Sequence, residues 1–118
     1  MADGEKAVYA SRVRSLMDAV YDWSRFNGIP RGYQWIHQEM KAERVSAAEL
    51  VKCTLRYGDT GTIRRMGLLL EREGVAETQL VKLGRALPPT SSPIPWLPRA
   101  PKRGPISQRW GVVDNDRN

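Results

Sequence analysis

The sequence predicts a mostly α fold: a compact bundle of about five short helices, with a proline-rich C-terminal arm and one small two-stranded pairing. Three observations carry this. Apolar residues recur at three-four spacing through most of the first 87 residues, the period of a helix with one buried face. Capping residues, glycines and a proline cut that pattern into short pieces. Seven of the eight prolines fall between 88 and 105, so the composition breaks at Leu87. The expected organisation is a helical core domain over 1–87 and a proline-rich basic arm over 88–118 packed on that core.

In the first helix, about 11 to 25, Val13, Leu16, Met17, Val20 and Tyr21 form the stripe and Ser11 supplies the cap. Asn27-Gly28-Ile29-Pro30 is punctuation, after which Tyr33, Ile36, His37 and Met40 mark a second amphipathic helix over about 31 to 43. Ser46 and Glu49 have the spacing of a reciprocal capping box, in which hydroxyl and carboxylate each satisfy an orphan amide, and Ala47, Leu50, Val51 and Thr54 follow on one face. Tyr57-Gly58-Asp59 ends this third helix and caps a fourth, which carries Ile63, Met66, Gly67, Leu69 and Leu70 and stops at Gly74; Gly67 is expected to allow close helix contact. A fifth, about 76 to 87, shows Leu80, Leu83, Gly84 and Leu87 before Pro88-Pro89 ends it. The prolines beyond predict an extended, polyproline-like arm, neither helix nor central strand. Lys6 to Ala10 and Trp110 to Asp114 read as short strands able to pair with each other.

A chain of 118 residues suits one small domain and excludes a multidomain enzyme. No run approaches the ~18 apolar residues of a bilayer span, the start lacks a secretory h-region, and Cys53 has no internal disulfide partner, so a cytoplasmic protein is expected. Nineteen Lys and Arg against 13 Asp and Glu leave a net charge of +6, which favours polyanionic partners.

Metal sites need convergent His, Cys or carboxylate ligands, and the single His37 and single Cys53 lie on different helices, so neither metal nor cofactor is expected. His37 shares a face with Tyr33 and Met40 and reads as a packed or half-buried histidine; Cys53 lacks an activating base and reads as a buried, inert thiol. Gly58 to Thr62 lacks the lysine and glycine spacing of a phosphate loop, and its Asp-Thr-Gly triplet lacks the second aspartate of an acid protease, so a helix cap explains it. With no convergent polar site, an enzyme is not expected. The candidate contacts with nucleic acid or a partner are basic: Arg64 and Arg65, whose side chains point about 100° apart so that at most one faces a partner, and Arg99, Lys102, Arg103 and Arg109 in the arm. Trp96 and Trp110 interleave with the arm cations. Base stacking on them competes with pinning of the arm to the helices, and pinning is preferred because the arm has few other groups to bury.

Three stretches taken together resemble a known family: Ser15 to Trp23; Arg56-Tyr57-Gly58 followed by Thr62 to Glu71, which contains Arg-Arg-x-Gly-x-Leu-Leu-Glu; and Pro101 to Pro105 followed by Arg109 to Val113. They resemble the C-terminal region of AbiEi-type antitoxins, bacterial transcriptional regulators of type IV toxin-antitoxin systems, over about residues 8 to 115. The resemblance implies a non-catalytic antitoxin or regulator module with two partners, DNA and a nucleotidyltransferase toxin encoded nearby. The winged-helix domain that usually precedes this region in the family has no counterpart here, so DNA contact by this chain alone is expected to be weak and non-specific. The chain is either a dissected domain or a natural short form. The alternative is a small basic nucleic-acid-binding accessory protein with no toxin.

Overall fold

In the computed structural model, which describes residues 2–26, 28–89 and 92–116, five helices precede a small sheet. They are α1 (Ala2–Tyr21), α2 (Ile29–Lys41), α3 (Ala47–Tyr57), α4 (Thr60–Arg72) and α5 (Glu77–Arg85), with a 3-10 turn (Trp23–Phe26) after α1. The fold is mostly α, as the periodicity predicts. The first helix differs: α1 runs through Lys6 to Ala10, where a strand is expected, and Ser11 lies inside it rather than at its cap. Ala2, Glu5, Lys6, Ala7 and Ala10 are strong helix formers, and Tyr9 packs against the core one turn before Val13, so the stripe simply begins earlier. Asn27, part of the expected punctuation, lies outside the described residues. Pro30 sits in the first turn of α2 behind Gly28.

The third and fourth helices start where their caps predict. The Ser46 hydroxyl accepts from the Glu49 amide at 3.2 Å. The reciprocal half of the box is replaced, because the Ser46 amide donates to the Tyr9 hydroxyl at 3.1 Å and so ties α3 to α1. Asp59 Oδ1 accepts from both the Thr62 amide (2.8 Å) and the Thr62 hydroxyl (2.7 Å), which makes Asp-Thr-Gly a helix cap.

Helix α4 is central. Thr62 to Arg64 and Met66 to Leu70 are all buried, more than one face can hide, because the helices cover one side and the arm covers the other. The arm is more than an extended strap. It folds into a three-stranded sheet of β1 (Ile94–Pro95), β2 (Ile106–Ser107) and β3 (Val112–Val113) in the order β1-β3-β2. β1 runs parallel to β3, pairing Ile94 with Val112, and β2 runs antiparallel to it, pairing Ile106 with Val113. The strand expected near Trp110 to Asp114 is therefore present, but its partners come from the arm itself, since Lys6 to Ala10 is helical. Pro95 is tolerated because it lies on an edge strand: Ile94 donates to the Gly111 carbonyl (2.9 Å) and Trp96 to Val113 (2.8 Å), so the donor that Pro95 lacks would have faced away from β3.

Trp96 and Trp110 pin the arm. Trp110, 1% exposed, lies on α4 at Gly67, where an added Cβ would stand 2.3 Å from the indole. Gly67 thus admits an arm ring, where the sequence suggests a neighbouring helix. Trp96 stacks on Tyr33 of α2 with centroids 3.8 Å apart, and the Tyr33 hydroxyl donates to the Trp96 carbonyl at 2.8 Å. Arg72 lies over the Trp96 ring and donates to Asp114 Oδ2 at 2.7 Å. One hydrophobic cluster includes Leu16, Ile36, Leu50, Met66 and Leu83 together with Trp96, Trp110 and Val112, so the core crosses Leu87.

Candidate functional site

The structure divides the six basic candidates into two groups. Arg64, Arg65 and Arg109 hold the arm to the helices. Arg64 is 4% exposed and donates through Nη1 to the Ser92 carbonyl at 2.9 Å. Arg65 donates through Nε to the Pro95 carbonyl at 3.0 Å, and burial pulls its guanidinium below its ordinary pKa. Solvated helix charges are the usual state of adjacent arginines, but the arm covers both of these, and neither presents a free cation. Arg109 bridges Glu71 (3.1 Å) and Glu77 on the surface; the hydrogen bond to Glu77 raises the Arg109 pKa and lowers that of Glu77.

Arg99, Lys102 and Arg103 lie on one turn, residues 97–104, between β1 and β2. All three are exposed, and Lys102 and Arg103 form no ion pair among the described residues. The turn is held by a residue that sequence reasoning missed. Asn115, 8% exposed, accepts from the Leu97 amide at 2.8 Å and donates to the carbonyls of Leu97 (2.8 Å), Pro101 (3.1 Å) and Ala100 (3.3 Å). A polar residue near a chain end carries no periodic signal, so only the folded geometry exposes this role. Gly104 closes the turn at φ +145°, where an added Cβ would stand 2.1 Å from the Asp114 carbonyl oxygen.

The Arg99 guanidinium lies 5.1 Å from the centroid of the Trp23 ring, a cation-π contact across 76 residues that no local motif announces. It is Trp23 that stands beside the cationic turn. Trp96 and Trp110 are buried in the arm-helix seam, and their rings are not open to bases.

His37 differs from its expected packing: it is exposed on α2, with Nδ1 2.6 Å from Glu73 Oε1, because Ile36 and Tyr33 fill the inner face. Cys53 is half-buried, and burial pushes its thiol pKa up, the opposite of nucleophile activation. Among the described residues no three His, Cys, Asp or Glu side chains converge as a metal site, and no helix is long and apolar enough to cross a membrane. No family model matches the chain, nor does any curated protein or solved structure.

Proposed function

We propose that the protein is a non-catalytic, cytoplasmic regulatory module of a bacterial toxin-antitoxin system, in keeping with its likeness to AbiEi-type antitoxins, and that it meets polyanions through the 97–104 turn. The observation that carries the charge-based part is the pair Lys102 and Arg103, exposed without an ion pair among the described residues on a turn fixed by Asn115. Exposed cations on a backbone held in place attract phosphates. Within the stretch that carries most of the resemblance, Arg64 and Arg65 hold the arm, Gly67 receives Trp110, and Glu71 meets Arg109. The same turn would serve a small nucleic-acid-binding accessory protein with no toxin.

Two experiments test this. Duplex DNA should bind weakly, with a steep salt dependence and no sequence preference; Lys102→Glu with Arg103→Glu should weaken binding uniformly and flatten the salt slope. Tight, sequence-selective, salt-insensitive binding would refute the proposal. Co-expression with a nucleotidyltransferase encoded beside the gene separates the two readings: restored growth supports the antitoxin, and continued toxicity favours the accessory protein.

A further inference from the structure

The 97–104 turn forms an open pocket of about 330 Å³ against the start of α2, where Trp23, Ile29, Pro30, Leu97, Arg99 and Ala100 are among the lining residues. It is within the size range of small-ligand pockets, roughly 300–1,000 Å³, and apart from Arg99 its side chains are apolar. Lys102 and Arg103 follow Ala100 in the chain after Pro101. An apolar pocket with an aromatic wall, one guanidinium over that wall and two exposed cations a little further along the same turn suits a nucleotide: a flat base inside, phosphates outside.

We infer that this cavity takes an unpaired base, and that the module prefers single-stranded nucleic acid to duplex. The inference rests on the polyanion reading of the turn and deepens it. A base in a duplex is stacked on both faces and cannot enter a slot, whereas a single strand offers its base to Trp23 and Arg99 while its phosphates meet Lys102 and Arg103. Stacking on an aromatic ring or a guanidinium accepts any base, so the preference is for strandedness and not for sequence. An acidic peptide matches the cations but lacks a repeating planar group to fill the slot, so the nucleic acid is favoured.

The test compares a fluorescent oligo(dT) of about ten nucleotides, within known single-strand site sizes, with a duplex of equal length and with an abasic strand of equal charge, all at low salt. The oligo(dT) is expected to bind about tenfold more tightly than either, a difference in the range of one base-aromatic stack. The abasic strand leaves the protein unaltered, so this comparison does not depend on the folding of any variant. Ala100→Phe, which fills the cavity and removes no charge, should abolish the preference and keep the salt slope. Equal, salt-dependent binding of all three ligands would overturn the cavity's role and leave the polyanion surface standing. No salt-dependent binding to any of them would overturn both. Tighter capture of an acidic aromatic peptide than of oligo(dT) at equal charge would assign the cavity to a protein partner and overturn the inference.

Discussion

A methyl group on Gly67 would press against the rigid, buried Trp110 indole, whereas one on Gly84, in α5, meets nothing within 4 Å. The same substitution should therefore have opposite signs in two helices. Gly67→Ala gains up to about 1 kcal/mol of helix propensity but must displace the ring, and a net loss of about 2 kcal/mol is expected from overpacking. Gly84→Ala should stabilise by about 0.5–1 kcal/mol. Denaturant midpoints read both signs, and equal effects would show that Trp110 is not seated on Gly67. The apolar spacing around them places both glycines in helices, yet only the arm's path distinguishes them. The same holds for Arg64 and Arg65: their angular separation on α4 is legible, and their burial is not, because the carbonyls of Ser92 and Pro95 that receive them lie 28 and 30 residues away.

The starts of α3 and α4 were the most legible features because each cap is a local hydrogen bond written in nearby residues, Ser46 to Glu49 and Asp59 to Thr62, whereas α2 and α5 begin without a side-chain cap and α1 runs through Ser11. Ser46→Ala should cost about 1 kcal/mol and lower the melting midpoint by several degrees, which calorimetry can check. The contact between α2 and the arm adds a pH dependence. Burial raises the Tyr33 phenol pKa above its ordinary 10.0, with Arg65 and Arg72 opposing the shift. With the folded pKa raised, the unfolded chain releases this proton first, so the Tyr33 contribution is complete below about pH 10 and is lost as pH rises beyond it. Tyr33→Phe should cost about 1 kcal/mol at neutral pH, through the lost hydrogen bond to Trp96, and its deficit should shrink above about pH 10. A deficit that does not change with pH would place the phenol in water. Of the sheet only β3 was legible, within the strand expected over Trp110 to Asp114; β1 and β2 have two residues each and no measurable period, and their pairing joins residues distant in the chain.

Across the whole molecule, the composition break at Leu87 is real, but the hydrophobic core does not stop there. Trp96, Trp110 and Val112 are members of the same buried cluster as the helices. A chain ending at Leu87 should therefore lose its cooperative thermal transition, and a sharp, parent-like transition by circular dichroism would show that the helices suffice alone. In the intact protein the same coupling should keep amide order parameters across 94–112 above the flexible range of about 0.6. The mostly α class was legible because it depends on local periodicity. The path of the arm was not, because it depends on pairs of residues far apart in the chain.

The seat of Trp110 on α4 also imposes an order of events during synthesis. Gly67 leaves the ribosome 43 residues before the indole that covers it, and β3 emerges only after both of its partner strands. Until then the outer side of α4 is a groove of apolar side chains open to water, the kind of surface that chaperones bind and that drives aggregation. The arm, made after the helices, thus closes this groove, and a translational pause after α5 would lengthen the interval in which it is exposed.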